Sequence, residues 1–133
     1  MTKKLNITNE QSFISLIQTL SKDKVTSKQK NILRNIGDDA AVFSNFSETS
    51  VFATDSMVDG VHFHSNNSEW IDIGWKCAIS NLSDIAAMGA VPDYALVTIG
   101  ISKKFPKDKY LEFSKGINEA LSTFDCEVIG GDI

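Results

Sequence analysis

Four aspartates stand in small-residue or turn contexts at the ends of apolar segments: Asp39 in IGDDAAVF, Asp55 in FATDSMVDGVHF, Asp84 in NLSDIAAMGA and Asp132 in IGGDI. Loops at strand ends are where a scaffold presents functional groups, and glycine beside them lets backbone approach a ligand closely. Such carboxylates are hard oxygen donors, the type Mg²⁺ prefers while it keeps water or phosphate oxygens in its other positions. Acids alone would repel a nucleotide, since two like charges 4 Å apart cost ~4 kcal/mol at an effective dielectric of 20. A site of this composition therefore implies metal, provided the acids converge. Each aspartate also has a plainer reading. Asp38 or Asp39 after Gly37, and Asp132 after Gly131, could form Asx-turns, and Asp55 could cap a turn. Asp84, three residues after Asn81 in an apolar helical pattern, is expected to be desolvated and to need a partner. The familiar phosphate cradles are missing: there is no G-x-x-x-x-G-K-[ST], no G-x-G-x-x-G after a strand and no H-R-D loop.

The elements that must position these acids can be read from periodicity. TNEQ (Thr8 to Gln11) reads as a capping box, and Phe13, Ile14, Ile17 and Leu20 repeat at helical spacing, so a helix is expected from Asn9 to Leu20. A polar loop, Ser21 to Asn31, follows. Two short apolar segments, Ala40 to Phe43 and Ser50 to Thr54, read as neighbouring strands joined by a turn. From Ile71 to Met88 the residues Ile71, Trp75, Ala78, Leu82, Ile85 and Ala86 keep a helical period, and Gly89 stands where a helix stops. Tyr94 to Ile101 predicts a buried strand, Lys107 to Thr123 a second amphipathic helix, and CEVIGGDI a short strand entering a double glycine. This order lacks strict strand–helix alternation, so the expected class is α+β, a mixed sheet with helices on one face.

Composition narrows the classes further. The 133 residues suit one domain with a real core. A net charge of −4 gives no general field favouring nucleic acid or an anionic membrane. The one basic stretch, Lys22, Lys24, Lys28, Lys30 and Arg34, reads as a solvated loop, with anion contact as the alternative. Mean hydropathy is −0.08, no apolar run reaches membrane-spanning length, and the N-terminus has no apolar signal core, so a cytoplasmic protein is expected. Cys77 and Cys126 form no C-x-x-C pair and are expected as reduced, packed thiols.

Taken together, GDDAAVF, TDSMVDGVHF, NLSDIAAMGAVP and GGD, in this order and spacing from about Ile36 to Ile133, resemble the N-terminal domain of the thiamine-monophosphate kinase family, within the aminoimidazole-ribotide-synthetase-like superfamily. The resemblance implies that the chain, residues 1–133, is an N-terminal Mg-ATP-binding and dimerisation domain without its C-terminal partner domain, inactive alone. It implies transfer of the ATP γ-phosphoryl group to thiamine monophosphate, Mg²⁺ and ATP as cofactor and co-substrate, and a homodimer formed through the N-terminal sheets. By position, Asp39, Asp55, Asp84 and Asp132 correspond to metal ligands, with Thr54 and the Ala53 backbone joining the shell. Gly131 and Asp132 would meet the nucleotide phosphates, and His62 the substrate. No general base is implied, because a phosphate oxygen is already ionised at neutral pH and positioning with charge neutralisation supplies the catalysis.

From pattern alone, His62 could equally be a packed strand histidine, His64 reads as surface, and Lys76 reads as the i,i+4 partner of Asp72. Ala53 stands where the family often has Ser or Thr. Phe113 and Ser114 precede Lys115 and Gly116 where the family has an aromatic two residues before the glycine, and Ile133 replaces a Thr. The alternatives are a sister enzyme (a selenophosphate synthetase, a hydrogenase-maturation carbamoyl dehydratase or a purine-pathway synthetase) or a non-catalytic Mg-nucleotide-binding dimerisation module. Residues 1–35 hold neither the Cys nor the Gly expected of the first.

Overall fold

Two helices packed through glycines form the centre of the structure, a computed structural model that describes residues 15, 19, 32–34, 42–43, 50–102 and 104–133. The element order is β1 (Ile32–Arg34), β2 (Val42–Phe43), α1 (Trp70–Ala87), β3 (Tyr94–Thr98), α2 (Lys107–Thr123) and β4 (Glu127–Asp132), an α+β arrangement. Ser15 and Thr19 are helical, and the Thr19 hydroxyl donates to the Ser15 carbonyl at 2.8 Å. The rest of the expected Asn9–Leu20 helix, the 21–31 loop and its lysines, and Asp38 and Asp39 lie outside the described residues.

Helix α1 buries Ile73, Gly74, Ala78 and Leu82, a stripe at helical spacing, while Trp75 and Ala86 face outward. It ends in a Schellman motif: the Gly89 amide donates to the Ala86 carbonyl (2.9 Å) and the Ala90 amide to the Ile85 carbonyl (3.1 Å). Gly89 has a φ of +69°, which a side chain would resist. Helix α2 closes the same way with Asp125 in the left-handed position (φ 54°), and the Cys126 amide reaches the Leu121 carbonyl at 3.0 Å. That sharp reversal delivers the chain directly into β4.

β4 runs parallel to β3, with Tyr94 opposite Glu127, Ala95 opposite Val128, Leu96 opposite Gly130 and Thr98 opposite Asp132. The register breaks between Ala95 and Leu96, so Ile129 is an extra residue on β4, a bulge. Ala78 and Leu82 of α1, Ile117, Ala120 and Leu121 of α2, and Cys126 and Val128 make the core, with Ala95 and Val97 packed against it from β3. Leu82, Ile117, Leu121 and Val128 each contribute roughly 1.5–3 kcal/mol by burial. Both thiols are free, Cys126 buried and Cys77 half-buried.

The expected pairing of Ala40–Phe43 with Ser50–Thr54 is not seen among the described residues, Val42, Phe43 and 50–54. β2 pairs antiparallel with β1, Ile32 facing Phe43 and Arg34 facing Val42, while 50–54 carries no ladder and leaves Phe52 82% exposed. An apolar run becomes a strand only where a neighbour supplies hydrogen bonds and a surface to cover.

Tyr110 is fully buried, and burial pushes its phenol up to about 12, with the Ser114 hydroxyl one turn on working in the opposite direction. The folded-state value lies above the ordinary 10, so ionisation opposes folding and stability falls as pH rises from 10 toward 12. Urea unfolding across that range should show a fall in midpoint that Tyr110→Phe removes.

Candidate active-site face

The segment from Ala53 to Phe63 runs along α1 and is held there by two side chains of the helix. Asn81 accepts the Asp55 amide on its Oδ1 at 2.8 Å and donates from Nδ2 to the Cys77 carbonyl at 3.0 Å, which fixes its own orientation. Lys76 donates from Nζ to the His62 carbonyl at 2.7 Å. The i,i+4 pairing of Lys76 with Asp72 expected from spacing is thus replaced by a longer-range contact. Asp84 follows Asn81 by three residues, so the Asp55 backbone is tied one helical turn from Asp84, on the same flank of α1.

Between these two ties the chain folds on itself. The His62 amide donates to the Val58 carbonyl (2.9 Å) and the Val58 amide donates back to His62 Nδ1 (3.1 Å). Gly60, at φ +80°, makes the tight turn and donates to the Phe63 carbonyl at 2.8 Å. Asp59 accepts from both the amide and the hydroxyl of Ser65; the hydroxyl bond is the larger cause holding its carboxyl below the usual range. Phe63 then meets Trp70 edge-on (6.3 Å), and Trp70 in turn meets Phe105 (4.8 Å) and Phe113 (6.4 Å). This aromatic group joins the turn to both helices. A cleft of about 320 Å³ lined by Phe63, His64, Asn67, Asp72 and Lys76 lies alongside, and Asp55, Asp84 and Asp132 are not among its lining residues.

Asp55, Asp84 and Asp132 are all exposed, as are Ala53, Thr54, His62 and Gly131. The burial expected of Asp84 is therefore corrected: its position on α1 is turned away from the Ala78–Leu82 stripe, and it needs no buried partner. The Asp55 carboxylate accepts the Ser56 amide at 2.8 Å. Asp132 is held through its backbone, its carbonyl accepting the Ile99 amide at 2.9 Å. The preceding Gly131 has a φ of +153°, and a Cβ there would strike the Val97 carbonyl, so the GGD turn requires glycine on steric grounds. Phe113, beside the position where the resemblance places an aromatic, is packed against Trp70.

Among the described residues no three His, Cys, Asp or Glu side chains gather as a metal-holding group, and Asp39 lies outside them. The residues on this face supply carboxylate oxygens, the donor type that Mg²⁺ takes. Mg²⁺ is commonly held by one or two carboxylates with phosphate and water completing its shell. Among the described residues, Asp55, Asp84 and Asp132 pair with no cationic side chain. Asn81, which ties Asp55 to α1, and Lys76, which holds the His62 turn, were not singled out from the sequence as site residues. The Asn81–Asp84 spacing was the available signal for the first.

Residues 37–133 match the model for the AIR synthase related protein N-terminal domain, and the chain belongs to that family. Within it, the chain is 37% identical over 98 residues to the thiamine-monophosphate kinase of Bacillus subtilis, covering 73% of this chain and 30% of the relative. It is 36% identical over 132 residues to that of Rhodopirellula baltica, covering 93% and 40%. The crystal structure of thiamine-monophosphate kinase from Stenotrophomonas maltophilia superposes with a TM-score of 0.67 at 32% identity, over 90% of this chain and 36% of that one. The chain thus spans roughly a third of the length of these relatives. Among the described residues no helix is long and apolar enough to cross a membrane.

Proposed function

We propose that the chain is the Mg-nucleotide-binding portion of a cytoplasmic enzyme that transfers the γ-phosphoryl group of ATP to thiamine monophosphate, giving thiamine diphosphate and ADP. The observation that carries this reading is the pairing of the NLSD helix with the TDSMVDGVHF segment through Asn81 and Asp55, in a chain whose relatives are named for that activity. Asp55, Asp84, Asp132 and Asp39 would hold Mg²⁺, with Thr54 and the Ala53 carbonyl beside them. Bound Mg²⁺ would neutralise phosphate charge during transfer.

Gly131 and Asp132 would meet the nucleotide phosphates, and His62 would contact the acceptor. The attacking phosphate oxygen is ionised at neutral pH, so this chain has only to bind, orient and neutralise. Leu96 (69% exposed) and Val91 (76%) on the β3 side support the proposal that two copies pair through this sheet, with a further domain completing each acceptor pocket.

Incubating the enzyme that carries this chain with thiamine monophosphate, Mg²⁺ and γ-labelled ATP should place the label in thiamine diphosphate. Label found only in free phosphate, or in a different acceptor, would overturn the reading.

A further inference from the structure

We propose that Lys76 and Asn81 are positioning residues, two fasteners on one helix that set the His62 ring and the Asp55 backbone respectively. The inference rests on the phosphotransfer reading for its kinetic consequences and on hydrogen-bond geometry for its structure.

Val58 donates its amide to His62 Nδ1, so that nitrogen carries a lone pair and the neutral ring holds its proton on Nε2. The His62 side chain is exposed, which leaves Nε2–H as its outward donor for an oxygen of the phosphate acceptor. The orientation of that donor depends on the Val58–His62 turn, and the turn is attached to α1 through the Lys76–His62 carbonyl bond of 2.7 Å. Lys76 is itself exposed, so its ammonium reaches across the surface to hold backbone.

Asn81 does the same for the metal side. Its Oδ1 accepts the Asp55 amide, its Nδ2 is committed to the Cys77 carbonyl, and the amide plane is thereby fixed in one orientation. Asn81 and Lys76 are five residues apart, about 7.5 Å along the helix axis, so α1 acts as a ruler between the Asp55 carboxylate and the His62 ring. The two residues accordingly act on different ligands: Lys76 on acceptor binding, Asn81 on metal binding.

The test has a spectroscopic arm on the 133-residue chain and a kinetic arm on the enzyme that carries it. In the wild-type chain, the ¹⁵N shifts of His62 should show an unprotonated Nδ1 at neutral pH, and the Asp55 amide should exchange slowly although its residue is exposed. Lys76→Met should move the His62 ring toward mixed tautomers and raise KM for the acceptor about tenfold at little-changed kcat, and Lys76→Arg should restore both. Asn81→Ala should speed Asp55 amide exchange and raise the Mg²⁺ needed for half-maximal rate about tenfold while leaving the acceptor KM in place.

A wild-type Asp55 amide that exchanges at the rate of an unprotected one, a His62 protonated on Nδ1, or a Lys76→Met loss that arginine does not restore would overturn the proposal. Because the wild-type spectra require no variant to fold, that arm stands even where a substitution unfolds the chain. Failure of the phosphotransfer reading would instead appear as an inactive wild-type enzyme with these spectral signatures intact.

Discussion

Gly116→Ala is expected to destabilise the protein by about 2–3 kcal/mol, a fall of roughly 10 °C in Tm, although alanine is the better helix former by about 1 kcal/mol. The reason is the contact between the two helices. A Cβ at Gly116 would strike the Ile71 carbonyl, and one at Gly74 would strike the Phe113 carbonyl, so each glycine lies against the backbone of the opposite helix. Backbone cannot swing aside as a side chain can, and the helices would have to move apart along the Ala78–Ile117 core. Urea or thermal unfolding measures the effect, with Lys115→Ala, at an exposed neighbouring position, as a control expected to stay within about 0.5 kcal/mol. A gain in stability on Gly116→Ala would mean that the helices do not approach this closely.

Asp84→Asn should divide activity from stability. In the enzyme that carries the chain, it is expected to lower the phosphotransfer rate by about 10²–10³-fold, the scale for losing one preorganised charge-stabilising group. The unfolding midpoint should move by no more than about 0.5 kcal/mol, because Asp84 is exposed and its removal leaves no buried partner behind. Steady-state rates across a Mg²⁺ titration, beside a urea melt of the same sample, give both numbers. A stable variant with the full rate would remove Asp84 from the metal site.

Local pattern made the helices legible. The Lys107–Thr123 boundaries follow directly from periodicity, and α1 differs from the expected Ile71–Met88 by one residue at each end. Gly89 marked its end because a Schellman turn requires the left-handed backbone that glycine supplies. The 50–54 segment is not legible from sequence, because whether an apolar run joins a sheet depends on a neighbouring strand; among the described residues, β2 pairs with β1 and 50–54 carries no ladder.

Of the site, the turn contexts of the motif aspartates are legible in the sequence, whereas the exposed setting of Asp84 is not. It lies two residues beyond buried Leu82, about 200° around the helix, so an apolar neighbourhood in sequence placed it on the wet side in space. Lys76 and Asn81 were hidden for a related reason. Their partners, His62 and Asp55, lie 14 and 26 residues upstream, and side-chain-to-backbone bonds leave no periodic trace.

The bulge at Ile129 also decides on which side of the sheet Asp132 emerges. Ala95 and Val97 face the helices, as does Val128, whereas Leu96 is 69% exposed on the opposite side. In an uninterrupted ladder, Val128, Gly130 and Asp132 would share a side, and the carboxylate would enter the core. Absorbing one extra residue changes odd to even, and Asp132 comes out opposite Thr98, on the outer surface. The carboxylate's exposure is therefore set by how many residues β4 contains between Val128 and Asp132. Replacing Ile129 by another aliphatic residue should leave that count undisturbed, while a single insertion after Val128 would turn the carboxylate inward with every neighbouring residue chemically unchanged.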